Sequence, residues 1–175
     1  MRVITETKRL KLIKVTAADV DFVYLLTGNK KVMEFFPKVL SYDETQQMVE
    51  KILHHYTEYG YCFWKVMLKS GGQFVGIAGL LHQEINGDVE TEISYRMLPV
   101  YWNHGYATEA AKACKEYGEN TLGKRRLISL IHPMNHASIR VAQKLGAKKT
   151  KSVFFMGEEH GVYVYQRGLV SDLES

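Results

Sequence analysis

Between Val89 and Ala111 an alternating run is cut off by a proline and followed at once by small residues at helical spacing. Val89, Thr91, Ile93, Tyr95 and Met97 alternate with Glu90, Glu92, Ser94 and Arg96, the period-two pattern of a strand. Pro99 cannot donate to a ladder and ends it. Ala107, Ala110, Ala111, Cys114 and Tyr117 then recur at i, i+3 and i+4, a narrow apolar stripe on a helix of about four turns that begins at or just after Gly105. A strand feeding a helix through a glycine turn aims several backbone N–H groups at one point, and the positive end of the helix dipole adds to their pull on an anion. Phosphate is the natural guest: Gly105 lets it reach the main chain, and Ala107 keeps the next helical position small. From the spacing alone an ordinary strand-turn-helix corner explains the stretch equally well. The chain has neither Gly-x-Gly-x-x-Gly nor Gly-x4-Gly-Lys-Ser/Thr, which argues against NAD or ATP as the guest.

The flanking sequence is arranged around this corner. Thr7 to Val15 reads as a first strand, and Thr16 and Asp19 cap a helix carrying Val20, Val23 and Leu26 or Tyr24 that closes near Gly28-Asn29. Ser41-Tyr-Asp-Glu44 is a capping box ahead of Met48, Val49, Ile52 and Tyr56, and Gly60 ends that helix. Tyr61 to Lys69 and Phe74 to His82 pair across Ser70-Gly-Gly-Gln73, and Asn86-Gly87-Asp88 turns the chain into the Glu92 strand. Leu127 to Ile131 is a buried strand, Asn135 opens a helix that ends at Gly146, and this spacing calls for a parallel crossover. Lys149 to Met156 and Val162 to Arg167 form a hairpin over Gly157-Glu-Glu-His-Gly161, and a polar tail from Gly168 frays. The expected fold is one α/β (α+β) domain over residues 1–175, a mixed sheet with helices on both faces.

A chain of 175 residues, 46% hydrophobic and 24% charged, can bury one sizeable core. No apolar run nears the roughly 20 residues of a membrane span, so no membrane partner is expected. The opening MRVITETKRLKL lacks the apolar segment of a signal peptide, which points to the cytoplasm. Cys62 and Cys114 sit in apolar patterns, as reduced core cysteines do. His132 and His136 are separated by Pro133 and Asn135 and share no helical face, so no metal is expected. The net charge of +4 is interspersed with acids instead of forming a stripe, which argues against nucleic acid.

At Pro99-Val-Tyr-Trp-Asn-His-Gly-Tyr-Ala-Thr-Glu-Ala110, preceded by Glu92-Ile-Ser-Tyr95, the chain resembles the acetyl-CoA loop of the GNAT superfamily of N-acetyltransferases. Within it the resemblance is to the ribosomal-protein serine/alanine (Rim-type) branch. Trp102, Gly105 and Ala107 stand at the first, fourth and sixth positions of the superfamily pattern Gln/Arg-x-x-Gly-x-Gly/Ala, an aromatic first residue being usual in that branch. Asn135-His-Ala-Ser138, running on to Lys144-Leu-Gly146, is similar to the superfamily's Asn-x-x-Ser/Ala helix. The order of elements agrees from Thr7 to Arg167.

The resemblance implies the GNAT fold, a mostly antiparallel sheet whose one parallel strand pair splays so that the pantetheine of acetyl-CoA lies in the gap. It implies thioester and pantetheine contacts from backbone N–H groups at Met97 and Leu98, and pyrophosphate contacts from Asn103, His104, Gly105, Tyr106, Ala107 and Thr108. It also gives Asn135, on its own residues a helix cap, a contact to pantetheine. Ser138 matches a serine proposed to protonate the departing thiolate, and Glu92 a glutamate able to take a proton from the amine through water. Without the resemblance these are a first-turn residue and a sheet hydrogen-bonding group. The tyrosine acid that the superfamily commonly places seven residues after the Asn is Ala142 here. Phe35 and Phe36 fall where the family walls its acceptor site, or else anchor a loop.

The implied activity is transfer of acetyl from acetyl-CoA to a primary amine, first of all a protein or peptide N-terminus. A small amine or antibiotic is the next reading, and a CoA-binding sensor that has lost transfer is the alternative from a different class. An α-amine asks least of a weak base, since about a tenth of it is neutral at pH 7 against well under a thousandth of a lysine. The acidic run Glu84, Asp88, Glu90 and Glu92 favours a cationic acceptor. A homodimer is left open.

Overall fold

The computed structural model describes residues 1–167, so the tail expected to fray from Gly168 lies outside the described residues. Eight strands form one sheet: β1 (Val3–Glu6), β2 (Leu10–Lys14), β3 (Phe63–Leu68), β4 (Phe74–Ile85), β5 (Asp88–Met97), β6 (Ile128–Ile131), β7 (Ala147–Phe155) and β8 (Glu158–Tyr165). Their spatial order is β1-β2-β3-β4-β5-β6-β8-β7. Among the described residues only β5 and β6 run parallel; all other neighbours are antiparallel. The helices are α1 (Val20–Thr27), α2 (Tyr42–Tyr59), α3 (Tyr106–Asn120) and α4 (His136–Lys144).

Local chemistry accounts for most of these boundaries. Ser41 accepts the Glu44 N–H at 3.1 Å while the Glu44 carboxylate accepts the Ser41 N–H at 2.8 Å, which closes the capping box of α2. Phe22 of α1 stacks on Phe74 with ring centroids 4.9 Å apart, and the Thr27 and Thr45 hydroxyls, 2.6 Å apart, tie α1 to α2. Helix α3 covers the other face. A Cβ on its Gly118 would stand 3.1 Å from Leu127 and 3.3 Å from Leu80, so any larger residue would press these leucine side chains back by a few tenths of an ångström. Trp64, fully buried, meets Tyr117 edge to face at 5.0 Å and links the sheet to α3.

Three expectations are corrected. The single strand read from Thr7 to Val15 is the second arm of a hairpin, because Thr7 makes a turn: its hydroxyl accepts the Leu10 N–H at 3.0 Å and its own N–H donates to the Leu10 carbonyl at 2.9 Å. The missed arm, β1, is a four-residue edge strand, too short and too exposed to show a period. The hairpin expected over Gly157-Glu-Glu-His-Gly161 turns instead at Met156-Gly157, where φ is 52° and 79°, the geometry of a tight two-residue turn. In β5, Val89 is 61% exposed and Glu92 only 6% exposed, since the strand's second half is covered on both faces and Glu92 points into a gap.

That gap is the feature the sheet is built around. A single residue pair, Glu92 with Ile128, registers β5 against β6. Past it, side chains replace the ladder: Ser129 Oγ donates to the Ile93 carbonyl at 2.7 Å, and the Leu130 N–H donates to Glu92 Oε2 at 3.1 Å. The two strands therefore part while remaining tethered.

Candidate active site

A cavity of about 410 Å³ fills the space between the parted strands and is closed by the corner before α3, by α4 and by the segment after α1. It gathers most of the residues singled out in the sequence. Glu92 and Met97 come from β5; Asn103, Gly105, Tyr106, Ala107 and Thr108 from the corner; Asn135 and Ser138 from α4; Phe35 and Phe36 from the segment after α1.

Leu98 and His104 are not among the lining residues. The Leu98 N–H is committed to the Val75 carbonyl at 2.9 Å, so it is not free for the thioester or pantetheine contact expected of it. Because successive residues of an antiparallel strand point their N–H groups to opposite sides, the same bond turns the Met97 N–H away from β4 and toward the gap. The His104 ring lies back on the corner, 2.7 Å from the Trp102 carbonyl through Nδ1 and stacked on Tyr106 at 5.7 Å.

The corner is shaped by backbone. Gly105 caps α3 at φ 79°, and Asn103 also has positive φ, at 62°. Among the described residues no protein acceptor engages the N–H groups of Gly105, Tyr106, Ala107 or Thr108, the first intrahelical bond being Glu109 N–H to the Gly105 carbonyl at 3.0 Å. Four adjacent free donors at a helix start make an anion site. A Cβ on Gly105 would point toward the Arg9 guanidinium, 3.3 Å away. Arg140 and Lys144 of α4 line the same cavity and add positive charge.

A clamp that sequence reasoning missed holds this corner. Glu109 accepts from the Thr7 hydroxyl at 2.5 Å, the Arg9 N–H at 2.9 Å and Arg9 Nε at 2.7 Å. Arg9 Nη1 in turn donates to the His104 carbonyl at 2.9 Å. These groups are about a hundred positions apart in the chain, and neither end carries a local signal. The Trp102 indole also donates to the Met97 carbonyl at 2.8 Å, which fastens the corner to the end of β5.

Among the described residues Glu92 is the most perturbed carboxyl. Burial pushes its carboxyl up to about 7, against hydrogen bonds from Gln83 and the Leu130 N–H and the charge of Arg96. Burial likewise lowers Arg96 to about 10 and raises the Tyr95 phenol to about 12, the latter eased by the neighbouring Ser138 hydroxyl. Tyr95 and Arg96, to which no site role is assigned from the sequence, thus belong to the cavity. The acidic run does not act together: Glu90 pairs with Arg126 at 3.0 Å, and Glu92 is buried.

Residues 9–148 match the family model described as the acetyltransferase (GNAT) domain. The chain belongs to the GNAT acetyltransferase family. Over 139 residues this acetyltransferase is 33% identical to YkkB of Bacillus subtilis, covering 79% of this chain and 81% of that protein. Its fold matches a GNAT-family acetyltransferase from Bordetella pertussis with a TM-score of 0.82 at 22% identity, over 94% of this chain and 99% of that one. It also matches RimL, a ribosomal L7/L12 α-N-protein acetyltransferase solved in complex with coenzyme A, with a TM-score of 0.72 at 18% identity, over 94% and 96% of the two chains. It is an N-acetyltransferase with an eight-stranded, mostly antiparallel sheet and one parallel pair.

Proposed function

We propose that this N-acetyltransferase moves an acetyl group from acetyl-CoA to the α-amine of a protein or peptide N-terminus. The observation that carries the reading is Glu92, a buried carboxyl with its pKa near 7, set in the same cavity as the free N–H groups of the α3 start. The donor set suits a CoA pyrophosphate, with four unsatisfied N–H groups, a glycine at positive φ at their head, and Arg140 and Lys144 for charge. Bound there, acetyl-CoA would supply an activated thioester.

The chain's own groups do the rest. The Met97 N–H faces the gap and can polarise a carbonyl oxygen. Glu92, half ionised near neutrality, is matched to an α-amine of pKa about 8, since a base works best when its own pKa lies near the working pH. Ser138 Oγ, beside the Tyr95 hydroxyl, can release a proton into the gap in place of the tyrosine that Ala142 has displaced. The α-N-protein activity named for RimL, a fold neighbour, supports the choice of acceptor.

Release of free CoA is measured with peptides bearing a free α-amine, with blocked lysine-containing counterparts and with small amines. Faster release with the free α-amine is expected. Faster release with small amines would replace the acceptor, and a melting shift with acetyl-CoA but no release with any amine would favour a sensor.

A further inference from the structure

Arg96 is an expensive residue in its position. Its Nε is fully buried without a hydrogen-bond partner, and among the described residues no carboxylate lies within 4.0 Å of its guanidinium. What it does touch is soft: Met33 Sδ at 3.5 Å from Nη1, the face of Phe36 at 3.9 Å, and Phe63 at 5.9 Å. Cation–π contact and the Met33 sulfur recover part of the lost hydration, but the buried Nε is left without an acceptor, which remains a standing cost. In native structures such a group has a reason.

The location suggests the reason. Arg96 lines both the main cavity and a smaller adjoining chamber of about 80 Å³, which it shares with Phe35, Phe36, Glu92, His132 and His160. This chamber lies away from the free N–H groups of the α3 start, none of which lines it. Glu92, also on β5, lines the same chamber and its charge acts on Arg96, so the chamber offers a proton acceptor and a fixed cation to one bound molecule. An amine could face Glu92 while an anionic group on the same molecule met the Arg96 fork.

We propose that Arg96 binds a carboxylate of the acceptor, so that the preferred substrate is an amine carrying a carboxylate a few bonds away. The geometry of guanidinium and carboxylate favours a paired, two-point contact, which a lone amine or a polyamine cannot make. The inference rests on the acetyl-transfer reading and narrows its acceptor. The carboxylate belongs either to an acidic first side chain of a peptide or to the α-carboxylate of a free amino acid.

Steady-state kinetics with matched acceptors test it. One pair is a peptide beginning with glutamate against the same peptide beginning with glutamine; the other is a free amino acid against its amide. Wild type should favour the carboxylate member of at least one pair by roughly 10-fold or more in kcat/KM, mostly through KM, as a lost charged contact predicts. The pair that discriminates identifies the source. Arg96→Gln should bring the two members of that pair within about 2-fold, and Arg96→Lys should restore part of the preference. Equal rates within both pairs for wild type would overturn the inference and leave acetyl transfer standing. Because that comparison uses wild type, it holds even if the variants fold poorly. Absence of transfer to every acceptor, with the acetyl-CoA melting shift intact, would overturn the transfer reading and this inference with it.

Discussion

Replacing Glu92 by glutamine should change how stability depends on pH, and the size of the change follows from its burial. In the unfolded chain the carboxyl ionises near 4.5, whereas in the folded protein burial delays ionisation to about 7. The folded state therefore holds the proton more tightly, so this group's favourable contribution is fully present below pH 4.5 and is lost as pH rises through about 7. A displacement from 4.5 to about 7 corresponds to about 3 kcal/mol across that window. Glutamine does not titrate, yet its side-chain oxygen can still accept from the Leu130 N–H, as Glu92 does at 3.1 Å. Urea unfolding of both proteins at intervals from pH 4 to pH 8 reads the effect as the difference between the two stabilities. Relative to wild type, Glu92→Gln should become more stable by about 3 kcal/mol between the ends of that range, or roughly 6–12 °C in melting temperature for a domain of this size. Parallel stability curves would mean that Glu92 ionises as readily in the folded protein as in water, and the argument for a base poised near neutrality would fail.

The same substitution should remove the limb near pH 7 from the profile of kcat/KM against pH and leave only the rise from the amine near pH 8; an unchanged profile would clear Glu92 of proton transfer. Gly105→Val puts a β-branched side chain at φ 79° beside the free N–H groups, and should abolish the roughly 2.7 kcal/mol stabilisation expected at one hundred times the dissociation constant of acetyl-CoA. Arg9→Ala releases the His104 carbonyl and Glu109 and should weaken acetyl-CoA binding by roughly 10-fold or less, measured by calorimetry, since the Arg9 side chain is 40% exposed. Ser138→Ala should lower turnover by about 10 to 100-fold, less than a full general-acid effect because the Tyr95 hydroxyl or water can substitute.

What the sequence made legible was local or periodic. The capping box at Ser41, the turn at Asn86-Gly87 and the helix start at Gly105 are each written within a few residues, and each stands where expected. The turn at Met156-Gly157 was hidden because its first residue is a methionine at positive φ, a conformation that its side chain does not announce. Within the cavity, Glu92 could be marked by its matching segment, but its burial and the unpartnered state of Arg96 could not. Alternation assigns a residue to a face without saying whether that face meets water or the gap between parted strands. The Arg9–Glu109 clamp joins positions that only the folded sheet brings together, and no spacing rule reaches so far.

Which nitrogen of an acceptor receives the acetyl group decides whether this enzyme works on α-amines. A peptide with both a free N-terminus and an internal lysine is incubated with the protein and acetyl-CoA at pH 7, and the acetylated nitrogen is assigned by fragment mass spectrometry. A single acetyl on the α-nitrogen is expected. Acetyl found only on the lysine, or no acetylated peptide at all, would contradict it.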